Sequence, residues 1–363
     1  MTFELMHKDT PVCEVTITNS GFIFQKMHTP ELIPYGTRSH GGDAEYFSQL
    51  LTDWNNHRCV PRIRPGYQEL MQQYGFENSV MWVAHSYMCS LNDTYWFKPS
   101  GSEIKWKDVN FHDNNINSNL GEILFYQENK QIDNFNSFDL TTNGGYPKYW
   151  EKREDGIYYL IKTSDTGKIA AHEAFASALL EKLNLPHVPY FVEHNSTLGK
   201  DTSVCPNFVG PNEDFVPMSN IITDNGASQR NPYSFLCKAG LQSYADEMFV
   251  ADFIMANIDR HTENYGIILD ADTQKFIKMA PYFDQGTLYL LTHDRFLYSS
   301  MGDKPFSMIM NDIGSVPNWI WNEDIFEYTK KLISEIKYFD EEDIEKALSL
   351  LDQRKELIRK SNK

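Results

Sequence analysis

The chain has 363 residues, enough for two domains and at most three. A hydrophobic fraction of 41% excludes a disordered, collagenous or low-complexity chain. With 33 basic residues against 50 acidic ones, the net charge of −17 argues against binding nucleic acid through a broad basic face.

No apolar run approaches the ~18 residues of a membrane span, and the opening Met1-Thr2-Phe3-Glu4 lacks the basic-then-apolar pattern of a secretory signal. Cys13, Cys59, Cys89, Cys205 and Cys237 are odd in number, scattered and without C-x-x-C spacing. They read as reduced thiols in a cytoplasmic protein. Neither a membrane nor direct nucleic-acid contact is expected.

Along the chain, Asn19-Ser20-Gly21 separates two β-branched or aromatic runs and predicts a hairpin. Tyr46 to Trp54 and Tyr67 to Tyr74 carry apolar stripes at helical spacing. Thr94-Tyr95-Trp96-Phe97 reads as a strand, and the Asn-rich stretch 109–144 as mostly loop. Asp155-Gly156 marks a second hairpin. A helix of about four turns, from near Lys168 to Leu183, buries Phe175, Ala178 and Leu179 and stops at Pro186. Strands are expected at Val188–Val192 and Thr202–Phe208. After about residue 215 the pattern is mainly helical, ending in a helix capped by Asp340. The outcome is an α+β protein with a sheet-rich lobe before a helical lobe and a cleft between them. The divisions fall at 1–93 (an accessory region), 94–212 (a small, sheet-rich lobe) and 213–363 (a helical lobe).

One constellation carries chemistry. An apolar helix runs into Asn257-Ile258-Asp259-Arg260-His261-Thr262-Glu263-Asn264-Tyr265-Gly266, and Ala280-Pro281-Tyr282-Phe283-Asp284-Gln285-Gly286 follows a short hairpin. Phosphoryl transfer needs one carboxylate beside the attacking hydroxyl, and an amide oxygen with a second carboxylate to hold Mg²⁺ on the phosphates. Asp259, Asn264 and Asp284 supply that set in order. Upstream, Asn143-Gly144-Gly145 forms a turn able to bring backbone N–H groups close to phosphates, Lys162 stands one strand later, and Glu173 lies on the next helix.

The string N-x-D-R-H-x-x-N-x-G followed by A-P-x-x-D resembles the HipA-like kinases, bacterial serine/threonine kinases of the protein-kinase-like fold distantly related to phosphoinositide kinases. The resemblance covers about 95–340 and extends to Cys205-Pro206-Asn207-Phe208 and His172-Glu173-Ala174-Phe175-Ala176. It implies a bilobal kinase that transfers the ATP γ-phosphate to Ser or Thr of a protein substrate, with ATP and Mg²⁺ as cofactors. Asp259 would be the catalytic base, and Asn264 and Asp284 the metal ligands. Lys162 would hold the nucleotide phosphates with Glu173 positioning it, and Asn143, Gly144 and Gly145 would form the phosphate loop. Adenine would rest near Phe208–Gly210. Many members are toxins of toxin–antitoxin modules, which implies an antitoxin partner. In such kinases a hydroxyl residue of the phosphate loop is often autophosphorylated and the loop ejected; Thr141 and Thr142 stand in that place here.

The chain departs from the family of ordinary protein kinases in lacking G-x-G-x-x-G and His-Arg-Asp. Two other readings compete: a catalytically weak nucleotide-binding module that keeps the fold to hold a partner, and a phosphoinositide-type lipid kinase. The presence of base, metal ligands, Lys and Glu together favours catalysis. Asp-Gln-Gly in place of Asp-Phe-Gly, and the lack of a basic membrane-binding cluster, disfavour a lipid substrate.

Overall fold

The computed structural model describes residues 1–227, 232–257, 259–288 and 317–361. Ile258, inside the motif, and 289–316, part of the stretch expected to be mainly helical, lie outside the described residues.

Strands β1 (Thr2–His7), β2 (Thr10–Thr18) and β3 (Gly21–Met27) form an antiparallel meander. Its second turn falls at Asn19-Ser20, where Gly21 takes φ +140°, a conformation closed to other residues. Two helices follow, α1 (Ala44–Arg58), capped by Asp43, and α2 (Tyr67–Tyr74), closed by left-handed Gly75. β4 (Tyr95–Pro99) pairs antiparallel with β1, so the sheet order is β3-β2-β1-β4. The division at 93/94 assigns this strand to the small lobe, but its ladder partner is in the first sheet.

The Asn-rich stretch read as loop contains two short helices, α3 (Trp106–Val109) and α4 (Leu120–Tyr126). Polar flanks hid α4, whose Leu120, Ile123 and Leu124 pack into the core of the N-terminal sheet. The small lobe is a second antiparallel sheet of β5 (Lys148–Lys152), β6 (Tyr158–Lys162), β7 (Phe191–Asn195) and β8 (Lys200–Pro206), in the order β5-β6-β8-β7. Helix α5 (Lys168–Lys182) packs on β8. β7 starts three residues later than the sequence pattern suggests. Pro186 and Pro189 have no N–H to give a ladder, and pairing begins only beyond them.

In the large lobe, β9 (Glu213–Pro217), α6 (Met218–Asp224), α7 (Pro232–Lys238) and the buried α8 (Gln242–Met255) precede a hairpin of β10 (Gly266–Asp270) and β11 (Phe276–Met279). The sheet order is β11-β10-β9. Helices Glu323–Ser334 and Glu341–Ser361 pack with α5 and α8 around Phe249, Phe253 and Leu351. Asp340 accepts from the Asp343 amide at 2.8 Å, the expected cap. Among the described residues the architecture is α+β, with two four-stranded antiparallel sheets and a mainly helical lobe that carries a third, three-stranded one. Among the described residues no helix is long and apolar enough to cross a membrane, and all five cysteines are free thiols.

The first sheet is bolted to the large lobe. Asp214 on β9 is 2% exposed and accepts from the Thr94 amide (2.7 Å), the Thr94 hydroxyl (2.9 Å), His7 Nε2 (3.0 Å) and Gln274 Nε2 (2.8 Å). Removing that carboxylate leaves several buried donors unpaired. Asp214→Ala should therefore lower unfolding free energy by about 3 kcal/mol in urea titration. A loss below about 0.5 kcal/mol, the range of an ordinary surface substitution, would show that the junction does not depend on it.

Candidate active site

A cavity of about 700 Å³ lies where the small lobe, the large lobe and the N-terminal region meet. Asn143, Gly144, Gly145, Lys162, Phe208, Asp259, Asn264 and Asp284 all line it. Glu173 stands behind Lys162, 0% exposed.

Lys162 ends β6 with its ammonium facing inward, 4% exposed as a residue. It donates to Glu173 of α5 and, at 2.7 Å, to Asp284 Oδ1. Burial alone would lower the pKa of Lys162; Asp284 and Glu173 overturn that and hold it raised and charged. Burial alone would raise Asp284, but Lys162 and Lys148 leave it below the usual carboxylate range. Glu173 is pushed up by burial despite the ammonium beside it. Its Oε2 is buried with no hydrogen-bond partner.

Asp284 sits at φ +57°, the left-handed region that Asp tolerates better than most residues. Its amide donates to the Tyr190 hydroxyl at 3.0 Å. The next residues are gripped from both sides. Gln285 Oε1 accepts from Asn257 Nδ2 at 2.6 Å, and Gly286 O accepts from His172 Nδ1 at 2.9 Å. A carbonyl can only accept, so His172 carries its proton on Nδ1. Burial pushes that imidazole down to about 4. A Cβ on Gly286 would lie 2.8 Å from Ile169 of α5, so the glycine permits the close approach.

Arg260 is the organiser of the motif and was read only as part of a string. Its guanidinium is 3% exposed and bidentate to Asp252 of α8 (3.0 and 3.1 Å). Its third nitrogen donates to Asn264 O (2.7 Å) and Phe283 O (2.9 Å), joining the two segments that carry the candidate metal ligands. Asn257 Oδ1 accepts from the Asp259 amide at 3.0 Å. Asn264 Nδ2 donates to Asp259 O at 2.9 Å, which leaves the amide oxygen as the end for an ion. The Asp259 side chain is 51% exposed at the cavity wall, with His261 Nε2 4.0 Å away. Burial raises its pKa, His261 offsets this in part, and Asp284 adds to it.

Phe208 stacks on Phe283 with centroids 5.1 Å apart. Along Asn207–Gly210 the amides of Asn207, Val209 and Gly210 bond to Tyr158 O, Asn207 Oδ1 and Glu213 Oε2. The Phe208 amide is the one in that stretch with no intrachain partner among the described residues. Thr141 and Thr142 are 3% and 5% exposed. Thr141 Oγ1 lies 2.9 Å from Cys89 O, and Thr142 Oγ1 donates to Phe138 O while accepting from Trp150 Nε1, both at 2.9 Å. A phosphate on either would first require these bonds to break.

Lys148, missed from sequence, opposes Lys162 across the β5–β6 ladder and also lines the cavity. It is 5% exposed, and its ammonium donates to Asn143 O at 3.0 Å. Burial and then the neighbouring Lys162 push it down to about 7. Its place follows from the β5–β6 register, and no neighbouring residue in the sequence marks it.

No family model and no curated protein matches the sequence. Among solved structures, HipA from the Shewanella oneidensis MR-1 toxin–antitoxin system, determined with HipB and operator DNA, superposes with a TM-score of 0.62 at 12% identity over 99% of this chain and 97% of that one. The chain has a HipA-like kinase fold. The HipA likeness spans the N-terminal region as well as both lobes. The Helicobacter pylori proinflammatory kinase CtkA is also similar, at 16% identity and a TM-score of 0.39 over 58% of this chain and 90% of that one.

The two buried cations predict opposite effects. Arg260→Ala takes the guanidinium from the buried Asp252 carboxylate and should cost about 3–5 kcal/mol in urea titration. Lys148→Met removes a poorly paired charge. Its folded pKa of about 7 lies below the ~10.4 of an unfolded lysine. The unfolded chain thus binds more protons between these values, and wild-type stability should rise from pH 7 to about 10.4. The variant should lack that rise and exceed the wild type in melting temperature near pH 6–7. A wild-type stability that stays flat or falls over this range would contradict the assignment.

Proposed function

We propose that the chain is an ATP- and Mg²⁺-dependent kinase acting on Ser or Thr of a protein in the cytoplasm. The observation that carries this reading is Lys162, on the small lobe, bonded at once to Glu173 and to Asp284 at the edge of the large lobe. A structural lysine on a strand has no need of a buried carboxylate and a second one at the cavity; a lysine that must present its charge to phosphates does.

The oxygens of Asn264 and Asp284 are hard donors suited to Mg²⁺. When bound, the ion neutralises and aligns the transferring phosphates. Lys162 and, when protonated, Lys148 place positive charge beside the phosphates, and the Asn143–Gly145 turn offers backbone donors. Phe208 and Phe283 give adenine an apolar wall with the Phe208 amide beside it. Asp259, exposed at the mouth with a raised pKa, accepts the proton of the attacking hydroxyl. That proton leaves as the Oγ–P bond forms and the bond to the β-phosphate oxygen breaks. The HipA neighbour was determined with HipB. By that likeness an antitoxin partner is part of the proposal.

The test is incubation with γ-labelled ATP and Mg²⁺, with and without cell lysate, followed by mass spectrometry of labelled proteins. The wild type should transfer label to Ser or Thr. Asp259→Asn should lose at least about 10²-fold of the rate while ATP affinity stays within about twofold, because base and binding are separate roles. Undiminished transfer by Asp259→Asn, or none by the wild type, would overturn the reading.

A further inference from the structure

Arg64 lies in the turn between α1 and α2, far in sequence from the kinase motifs, yet it holds the phosphate loop. Its guanidinium is 2% exposed. Nη2 donates to Thr142 O (2.6 Å), Asn143 O (3.0 Å) and Gly144 O (2.7 Å), and Nε donates to Gly144 O (3.1 Å). All four bonds run to three consecutive carbonyls of one loop. The turn that carries Arg64 is itself anchored: its amide donates to Pro61 O at 3.0 Å, and Val60 N donates to Leu140 O at 2.9 Å. The neighbouring Ile63 reaches the loop too, since a Cβ on Gly145 would lie 2.8 Å from Ile63 Cδ1.

This arrangement has an electrostatic consequence. In a trans peptide the C=O and N–H point to opposite sides. Tying the carbonyls of residues 142, 143 and 144 to one cation turns the amides of Asn143, Gly144 and Gly145 away from it. The Gly144 amide is closed by Asn143 Oδ1 at 2.7 Å. The Asn143 and Gly145 amides have no intrachain partner among the described residues, and both residues line the cavity. Successive amides aligned in this way form an anion-binding concavity. Arg64 behind the carbonyls adds its charge to the same peptide dipoles. Nη1 of Arg64 is buried without a hydrogen-bond partner, and burial pushes the guanidinium down to about 10, so it remains a cation at neutral pH. The cation is held at a desolvation cost that the three carbonyls and the nearby Asp139 carboxylate offset in part.

We propose that Arg64 is the positioning residue through which the N-terminal region holds the Thr142–Gly145 loop in its phosphate-binding form. The N-terminal region touches both lobes: Arg64 holds the small-lobe loop, while the His7–Asp214 bond and the acceptance of the Gly36 and Arg38 amides by Asp224 (2.7 and 2.8 Å) fix the region to the large lobe. The loop is thereby positioned relative to Asp284 by a brace outside the two lobes. The accessory region is a working part of the nucleotide site.

The inference rests on the kinase reading, and two measurements keep their failures apart. The first is hydrogen exchange of the Thr142 and Gly144 amides, bonded to Asp139 O and Asn143 Oδ1, in the protein without nucleotide. Arg64→Met should speed exchange there about tenfold or more, the loss of roughly 1.4 kcal/mol of hydrogen bonding, with α8 still protected. Arg64→Lys, whose single ammonium cannot span three carbonyls, should fall between the two. The second is titration with a non-hydrolysable ATP analogue and Mg²⁺. Both variants should bind about tenfold or more weakly, with the apparent KM for ATP raised more than kcat is lowered. If Arg64→Met fails to fold, Arg64→Lys is read in the same assays. Loop exchange and ATP affinity that match the wild type in a folded variant overturn the brace. If the wild type binds no analogue, the kinase reading falls and the phosphate role of the brace falls with it, whereas the exchange data still report whether Arg64 holds the loop.

Discussion

One buried ammonium shared by two carboxylates sets the geometry of this molecule. Lys162 comes from a strand of the small lobe, Glu173 from the helix packed on that sheet, and Asp284 from the segment after the β10–β11 hairpin. Each of these groups is costly to bury alone, and together they leave one negative charge in excess. The bond to Asp284 therefore works only if the two lobes meet in one register. The surroundings supply that register. α5 grips the Asp284 segment through His172 and Gly286, and Arg260 ties Phe283 O to Asn264 O. That triad, with Lys148 as a second lysine beside it in a cavity with room for a nucleotide, suits a divalent cation and the phosphates it accompanies.

The Asn257–Asn264 string divides between chemistry and scaffolding. Asp259 and Asn264 face the cavity, whereas Asn257 and Arg260 point into the protein and fasten the string to Asp252 and Gln285. In the order Asp-Arg-His the arginine anchors backward into α8 from beside Asp259. Asp252 sits on the buried helix α8, so the anchor is part of the core and the string inherits its rigidity.

Much of the site was legible in the sequence because its members sit at element boundaries that local patterns mark well. Lys162 ends an alternating strand after Asp-Gly, Glu173 lies on a helix with a clear apolar stripe, and Asp284 follows a hairpin. What escaped had no local signature. Arg64 and Lys148 act across 78–80 residues and across a strand pair, and nothing near either one predicts its partner. The N-terminal sheet was visible as a hairpin, but β4 joining it from position 95 depended on a non-local pairing. Helix α4 was hidden by the asparagines around it. The likeness to HipA, at 12% identity over nearly the whole chain, is one of fold.

The proposed function requires Asn264 and Asp284 to share one ion on a nucleotide. Manganese can stand in for Mg²⁺ and is read directly by electron paramagnetic resonance. The wild-type protein should bind one Mn²⁺ tightly when a non-hydrolysable ATP analogue is present and only weakly without it, and Asp284→Asn and Asn264→Ala should each lose the nucleotide-dependent ion while retaining the fold. Mn²⁺ binding that ignores the nucleotide, or that survives both substitutions unchanged, would contradict the account.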